Sequence, residues 1–218
     1  MNAIELIDVS KTIKGRPILQ NISLSLPKGL IYGFVGPNGS GKSMLFRIIS
    51  GLVIPTSGQI RIFEDYLHDT ISFPKSIGII LEKPGFLEHY SGIDNLKFLA
   101  GIQNKISIEE IRLTLVRVGL DPDDRRMVKT YSLGMKQKLA IAQAVMEHPK
   151  LILLDEPMNG LDENSVPMIY KIVREEKERG ATILMTSHHK EDIEALCDDV
   201  YQVSDGMVKR NQESENQN

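Results

Sequence analysis

Residues 36–43 read Gly36-Pro37-Asn38-Gly39-Ser40-Gly41-Lys42-Ser43 and fill every fixed position of the pattern G-x-x-x-x-G-K-[ST]. In this pattern the glycines let the backbone curl until successive N–H groups point at phosphate oxygens. Lys42 can reach the β- and γ-phosphates, and the Ser43 hydroxyl can ligate Mg²⁺. The sequence predicts a strand at 31–35 before the loop and a helix at 42–50 after it. The N-terminus of that helix favours an anion, so a chance glycine-rich turn is the weaker interpretation.

Length and composition indicate an ordinary globular protein. The chain has 218 residues, of which 41% are hydrophobic and 25% charged, which suits one large α/β domain or a domain with a subdomain. The net charge is −3, from 26 Lys and Arg against 29 Asp and Glu. This balance gives no reason to expect a nucleic-acid partner.

The distribution of cysteine and of apolar residues bears on the compartment. Cys197 is the single cysteine, so an internal disulfide and a cysteine-based metal cluster are both excluded. No segment approaches the roughly 20 apolar residues needed to span a bilayer. The first ten residues include Glu5 and Asp8 and lack the apolar centre of a signal peptide. We therefore expect a cytoplasmic protein that depends on another chain for any part within a membrane.

Periodicity divides the chain into strand-rich ends and a helical middle. Alternation of apolar and polar residues predicts half-buried strands at 4–9 and 22–26. A tight turn at 55–58 leads into a predicted strand at 59–63, and 77–81 is predicted as a short apolar strand. In the last third, a continuous apolar run at 151–154 predicts a parallel strand buried on both faces. The other segments predicted there are helices 164–179 and 189–196 and strands 182–186, 200–203 and 207–209.

The middle of the chain has helical spacing at 93–101, 107–118 and 133–147, and Ser107 with Glu110 forms a predicted capping box. These patterns predict an α/β fold with an inserted α-helical subdomain. The phosphate loop and the family that the chain resembles imply, more specifically, a P-loop NTPase core with a mixed or parallel sheet and an antiparallel β subdomain at the N-terminus. The insertion covers about 84–148 of a single domain at 1–209. The polar residues 210–218 predict a disordered tail.

A second candidate site element lies at the end of the buried strand, in Leu151-Ile152-Leu153-Leu154-Asp155-Glu156. Asp155 is suited to hold Mg²⁺ through water, and Glu156 is suited to polarise a water for attack on a γ-phosphate. Alone, this stretch could equally be a strand that ends in charged residues. Its combination with the phosphate loop favours the functional interpretation.

A third element is Tyr131-Ser132-Leu133-Gly134-Met135-Lys136-Gln137. Ser132 is predicted to cap the following helix, and Gly134 leaves its first turn open. The helix end would then present N–H groups and a hydroxyl to an anion. An ordinary cap would be the better interpretation of this segment alone, but its position between the helical insertion and Asp155-Glu156 favours a ligand.

With these motifs together, the chain resembles the ATP-binding-cassette family, and within it the nucleotide-binding subunit of a transporter. The resemblance covers nearly the whole sequence, because Asn159-Gly160-Leu161-Asp162 and Thr186-Ser187-His188 follow in the family's order and approximate spacing. It implies a head-to-tail dimer that holds two ATP molecules. Ser132, Gly134 and Met135 of one subunit would then contact the γ-phosphate bound by the other subunit.

The same resemblance implies Mg²⁺-dependent ATP hydrolysis and a role for each site residue. It makes Glu156, His188 and Lys42 catalytic, with Asp162 coupling the two sites. It assigns the metal to Ser43, Asp155 and Glu82. The nucleotide contacts it implies are Gly36, Pro37, Asn38, Gly39, Ser40, Gly41, Lys42, Ser43, Met44 and Ile13. His189, the neighbour of His188, is expected to be structural.

Three positions depart from the usual family pattern. Glu82 stands where a glutamine is usual, and this glutamate resembles the branch that exports bacitracin- or lantibiotic-type peptides. Leu133 and Met135 replace the commonest glycine and glutamine, while Ser132 is kept. Ile13 stands at the place of an aromatic residue that stacks on adenine, so ATP is expected and GTP is not excluded.

The resemblance also implies the partners and the location: ATP, a second cassette subunit that is identical or a paralogue, integral membrane transporter subunits, and a peripheral position on the cytoplasmic face of the membrane. The stretch 83–93 would form the groove for a membrane subunit, with Phe86, Leu87 and Tyr90 serving either as core or as contact. The main alternative is a non-transport ATPase of the same superfamily, such as an assembly or regulatory factor. A small-molecule kinase is a further alternative that shares the phosphate loop.

Overall fold

The computed structural model describes residues 1–81 and 85–211. Its strands are β1 (Asn2–Ile13), β2 (Arg16–Pro27), β3 (Ile31–Val35), β4 (Ser57–Ile62), β5 (Asp65–Tyr66), β6 (Ile77–Ile80), β7 (Leu151–Leu154), β8 (Thr182–Thr186), β9 (Asp199–Ser204) and β10 (Met207–Arg210). Its α-helices are α1 (Lys42–Ile49), α2 (Gly92–Gln103), α3 (Ile108–Arg117), α4 (Leu133–Val145), α5 (Val166–Glu178) and α6 (Lys190–Leu196).

The N-terminal sheet is antiparallel, with the strand order β2-β1-β4-β5. Strands β1 and β2 are longer than predicted. Their pairing shifts register several times, once between Leu6 and Val9, and each shift interrupts the alternation on which the prediction rested. At that shift Asp8 has a φ of 50° and Ile7 is exposed, so the simple alternation is interrupted. Strand β5 was not predicted, since two residues carry no periodic signal.

The central sheet has the order β10-β9-β3-β8-β7-β6, in which only β10 is antiparallel to its neighbour. Strand β7 is buried along its whole length, and its side chains alternate between two hydrophobic clusters on opposite faces. This two-sided burial explains its uninterrupted apolar sequence. The carboxyl ends of β3, β7 and β8 meet at one edge of the sheet, where the phosphate loop, Asp155 and Ser187 follow them.

Helices α2, α3 and α4 lie between β6 and β7 in the chain and pack around one of the two clusters. Ser107 and Glu110 form the predicted capping box at the start of α3. A 3-10 turn at Val128–Thr130, which was not predicted, precedes α4. Within the described ranges, no helix has both the length and the hydropathy needed to cross a bilayer.

Arg210, which the prediction assigned to the tail, belongs to β10, and its Nε lies 3.0 Å from Oδ1 of Asp199. Residues 212–218 of the predicted tail lie outside the described residues.

The close contact between β6 and α4 requires a residue without a Cβ atom at Gly78. A Cβ atom at Gly78 would lie 1.8 Å from the carbonyl oxygen of Ala144 and 3.0 Å from Pro149. Because backbone atoms cannot yield cheaply, Gly78→Ala is expected to lower the free energy of unfolding by about 3 kcal/mol. Urea unfolding should show an earlier midpoint with a similar slope.

The matched control is Gly101→Ala within α2, where a Cβ would meet no heavy atom within 4 Å. Alanine is favoured over glycine inside a helix, so this change should stabilise by roughly 0.5–1 kcal/mol. Equal unfolding midpoints for Gly78→Ala and the wild type would contradict the close approach of β6 and α4.

Candidate active site

The phosphate loop connects β3 to α1 and has an unusual backbone. Gly36, Gly39 and Gly41 have φ values of 149°, 78° and 113°, in the region that favours glycine. A Cβ at Gly36 would also lie 2.0 Å from the carbonyl oxygen of Val203. The N–H of Ser40 donates to the carbonyl of Pro37 at 3.2 Å and tightens the turn. The glycines of the motif are therefore required by the shape of the loop.

Lys42 crosses the inside of this loop. Its Nζ donates to the carbonyl oxygens of Gly36 and Pro37, at 2.7 and 3.1 Å. Only 7% of Lys42 is exposed, so the ammonium group is held inside the loop. An ammonium group has three donors, and the third stays available for an anion.

A cavity of about 480 Å³ lies over the loop and the edge of the central sheet. Its wall contains nine of the residues predicted for the site: Asn38, Gly39, Gly41, Lys42, Ser43, Met44, Asp155, Glu156 and His188. Gly36 lines an adjacent cavity that also reaches His188. One concave site thus contains both the loop residues that are predicted to bind phosphate and two carboxylates.

Asp155 is held through both of its carboxylate oxygens. The Ser43 hydroxyl donates to Oδ2 at 2.7 Å, and the Thr186 hydroxyl donates to Oδ1 at 2.6 Å. Hydroxyl and carboxylate oxygens are the ligands that Mg²⁺ prefers, and in phosphate-loop sites they act with phosphate oxygens and water. Ser43 and Asp155 therefore fit a magnesium site whose other ligands would be phosphate oxygens and water.

Glu156 has a φ of 53°, a conformation uncommon outside glycine. Its N–H donates to Thr186 Oγ1 at 2.9 Å, and Gln137 Nε2 donates to the carbonyl of Pro157 at 2.8 Å. These bonds hold the turn that follows β7. Strained backbone of this kind persists where the surroundings over-determine it, often at active sites.

The Glu156 carboxylate meets His188 at the cavity wall. The backbone N–H of His188 donates to Oε2 at 3.2 Å, and the ring Nε2 lies 3.4 Å from Oε1. The loop that carries His188 is anchored by Ser187, which is buried and donates to the buried Asp192. The structure therefore positions a carboxylate and an imidazole beside the phosphate loop.

His189 is oriented differently from His188. It precedes α6, its N–H donates to Ser187 Oγ at 3.0 Å, and it lines the adjacent cavity. Cys197 lies in the wall of the same cavity, and burial raises the pKa of its thiol to about 12. This thiol is therefore protonated at neutral pH and is a poor nucleophile.

The Ser132 segment lies on the surface, outside the wall of the phosphate cavity. Ser132 caps α4 as predicted, with its Oγ accepting from the N–H of Met135 at 3.2 Å. Ser132 and Leu133 are exposed, and the Leu133 side chain lies against Gly160. An exposed helix N-terminus of this kind can be reached by a ligand that another molecule carries.

Asp162 is engaged within its own turn. Its carboxylate accepts from the N–H and the hydroxyl of Ser165, at 3.0 and 2.8 Å. The Ser165 hydroxyl is the main reason why the pKa of Asp162 is lowered from its usual value. The carboxylate is therefore charged at neutral pH.

Three of the predicted nucleotide contacts, Ile13, Pro37 and Ser40, do not belong to the walls of the two cavities at this site. Ile13 is 41% exposed and does not belong to the cavity wall, whereas Arg16 and Ile18 do. Glu82, predicted as a metal ligand, lies outside the described residues. Sequence patterns missed Thr186, although it belongs to the quoted Thr186-Ser187-His188. A polar residue at the end of a buried strand was the available signal.

The predicted membrane-subunit groove is described from residue 85 onward. Phe86 packs against the hydrophobic cluster of the helical insertion. Leu87 and Tyr90 are 52% and 47% exposed, and the Tyr90 ring meets Phe98 edge-on at 5.1 Å. Of the two alternatives, Phe86 fits a core role, while Leu87 and Tyr90 offer an apolar surface.

Comparison with known proteins identifies the family. A family model described as ABC transporter matches residues 19–159. The uncharacterized ABC transporter ATP-binding protein YybJ of Bacillus subtilis (strain 168) is 48% identical over 206 residues, which are 94% of each chain. The lantibiotic transport ATP-binding protein SrtF of Streptococcus pyogenes is 39% identical over 201 residues, which are 92% of this chain and 86% of SrtF.

A solved structure agrees with the sequence matches. An ATP-binding subunit of an ABC transporter superposes with a TM-score of 0.87 at 27% identity, covering 96% of this chain and 89% of that one. The α/β fold class is thereby confirmed, with its antiparallel N-terminal sheet and helical insertion. The family resemblance is confirmed as well. The family model matches more than half of this chain, and YybJ is similar to it along almost the whole length of both proteins. The chain therefore belongs to the ABC transporter family.

Proposed function

We propose that this chain binds ATP together with Mg²⁺ and hydrolyses it to ADP and phosphate in order to drive transport through separate membrane subunits. The observation that carries the proposal is the hydrogen-bonded set Ser43–Asp155–Thr186–Glu156–His188 beneath the phosphate loop. This set places a carboxylate beside a loop suited to a triphosphate. The main alternative, a non-transport ATPase, has less support because YybJ and SrtF are named as transport proteins.

Binding of the phosphates depends on the loop and on Lys42. The N–H groups at the start of α1 and the Lys42 ammonium stabilise negative charge on the transferred phosphoryl group. Lys42 would exchange its two carbonyl partners for phosphate oxygens, which are better acceptors because they are charged. ATP is the expected nucleotide, although Ile13 supplies no aromatic face and lies outside the cavity wall.

Ser43 and Asp155 would hold the metal, with Glu82 as a further ligand. When bound, Mg²⁺ neutralises the charge that develops on the β- and γ-phosphate oxygens. Among the residues of 1–81 and 85–211, no group of three or more His, Cys, Asp or Glu side chains could hold a metal ion. The donor set therefore suits an ion that is shared with the nucleotide.

Glu156 acts as the general base. Its carboxylate lies in the cavity wall and accepts a proton from the attacking water, while the His188 N–H orients one of its oxygens. His188 is exposed and faces the same cavity, from which it can donate a hydrogen bond to the γ-phosphate.

A second subunit completes each site. Ser132, Gly134 and Met135 lie away from the phosphate cavity of their own chain, so they are suited to the γ-phosphate held by a partner in a head-to-tail dimer. Asp162 lies near this segment, since Gly160 contacts Leu133, and would couple the two sites. ATP then joins the subunits, and its hydrolysis separates them.

The chain would act on the cytoplasmic face of the membrane, bound to integral membrane subunits through Leu87 and Tyr90. Export is the proposed direction of transport. A glutamate at the position of Glu82 is similar to the pattern of the branch that exports bacitracin- or lantibiotic-type peptides, and SrtF is named as a lantibiotic transport protein. We propose no nucleic-acid partner, because a net charge of −3 gives the chain no electrostatic attraction to a polyanion.

The test is phosphate release by the purified chain. With ATP and Mg²⁺ we expect free phosphate and ADP, and with a chelator in excess we expect a loss of at least 10²-fold, because the charge on the phosphates is no longer neutralised. A phosphorylated acceptor in place of free phosphate would identify a kinase. If the chain is purified from detergent-solubilised cells and no membrane subunit co-purifies with it, the non-transport alternative is favoured.

A further inference from the structure

Thr186, the last residue of β8, connects the two carboxylate residues of the site, Asp155 and Glu156. It is fully buried, and its hydroxyl lies between the main chain of Glu156 and the side chain of Asp155. The Glu156 N–H donates to Oγ1 at 2.9 Å. Oγ1 lies 2.6 Å from Asp155 Oδ1 and 3.4 Å from Glu156 Oε1.

The direction of these bonds follows from the chemistry of a hydroxyl group. A hydroxyl has one proton, so it can donate fully to only one of the two carboxylates. The bond to Asp155 is shorter and charge-assisted, and it takes the proton. The lone pairs of Oγ1 then accept from the Glu156 N–H. One buried side chain thus serves as donor to one residue and as acceptor for the other.

The consequences differ for the two residues. With Thr186 on Oδ1 and Ser43 on Oδ2, the plane of the Asp155 carboxylate is fixed. For Glu156, the bond to Thr186 satisfies a backbone N–H in a segment with a φ of 53°. Without the hydroxyl, that N–H would be left unpaired in a largely buried turn and the strained conformation would lose a restraint.

We infer that Thr186 is a positioning residue for hydrolysis, which acts by fixing Asp155 for the metal and Glu156 for the attacking water. Thr186 does not belong to the cavity wall, so it acts through Asp155 and Glu156. The inference rests on the proposed ATPase function and adds a residue of β8 to the residues around that site.

Thr182 supplies a matched control within the same strand. It is fully buried like Thr186, and its Oγ1 accepts a hydrogen bond from the N–H of Gly29 at 3.0 Å, away from the cavity. Replacing either threonine by the isosteric valine buries a methyl group in place of a hydroxyl and leaves one backbone N–H without this partner. A difference in catalysis between the two variants therefore reports position and not burial.

The experiment compares Thr186→Val, Thr186→Ser and Thr182→Val in the full chain. For Thr186→Val we expect kcat at saturating ATP and Mg²⁺ to fall by about 10–100-fold. We expect binding of Mn²⁺ in the presence of ADP, followed by electron paramagnetic resonance, to weaken by about 10-fold. Thr186→Ser should recover most of kcat, and Thr182→Val should stay within twofold of the wild type.

Several results would overturn the inference. These are a Thr186→Val enzyme with wild-type kcat, equal losses for the two valine variants, or a Thr186→Ser enzyme as slow as Thr186→Val. If valine at 186 prevents folding, Thr186→Cys, whose thiol is a weak donor, takes its place in the same comparison. Absence of phosphate release by the wild type would instead contradict the proposed function, so the two failures are distinguishable.

Discussion

Replacing Glu156 by glutamine is expected to lower the rate of ATP hydrolysis by on the order of 10²–10⁴-fold while ATP stays bound. The glutamine amide has nearly the size of the carboxylate, and its oxygen can still accept from the His188 N–H. It cannot, however, take a proton from water at neutral pH. The loss should therefore appear in kcat, with nucleotide affinity maintained.

Failure to hydrolyse should also preserve the ATP-dependent dimer. Since ATP joins the two subunits in the proposed mechanism, Glu156→Gln should elute as a dimer with ATP, and the wild type should return to monomers as ATP is consumed. Size-exclusion chromatography together with single-turnover phosphate release measures both effects. Glu178→Gln removes the same charge from the exposed end of α5 and should leave both unchanged.

An opposite result would have a clear meaning. Hydrolysis at the wild-type rate by Glu156→Gln would show that another group accepts the proton. In that case the contact between His188 Nε2 and Glu156, at 3.4 Å, would make the imidazole the next residue to replace.

Sequence patterns predicted the parts of the fold that depend on local chemistry. Strands β3, β7 and β8 were predicted with their observed ends, because two-sided burial leaves short, mainly apolar runs in the sequence. The Ser107 and Ser132 caps followed from spacing alone. Helix ends were less accurate: α5 begins at Val166 and not at 164, since residues 162–165 form the turn around Asp162.

The remainder depended on contacts between residues that are distant in the chain. Thr186 meets Asp155 and Glu156 only because β7 and β8 are adjacent in the sheet. Ile13 was proposed for the base from its place in the sequence, whereas the β1–β2 hairpin brings Arg16 and Ile18 to the cavity. Side-chain direction at the end of a hairpin depends on register, and the register shifts of β1 are not visible in the pattern.

Lys42→Ala is expected to weaken ATP binding by roughly 30–700-fold, equivalent to about 2–4 kcal/mol. Lys42 is 7% exposed and its ammonium group lies inside the phosphate loop, so its bonds to phosphate oxygens would be charge-assisted and poorly screened. Two further bonds are lost in the nucleotide-free protein, where Nζ holds the carbonyls of Gly36 and Pro37. Alanine therefore removes a phosphate ligand and a restraint on the loop.

The measurement is the Kd for ATP by calorimetry, with Lys171→Ala as the control of equal charge. The Lys171 side chain is 78% exposed on α5, so its removal should change the Kd less than twofold. Lys42→Arg separates charge from shape: arginine keeps the charge, but its planar guanidinium cannot occupy the narrow path of Nζ to both carbonyls. Weak binding by Lys42→Arg as well as Lys42→Ala would mean that the fit within the loop matters as much as the charge. Unchanged affinity in Lys42→Ala would exclude Lys42 as a phosphate ligand and leave the amides and hydroxyl groups of the loop as the donors to the anion.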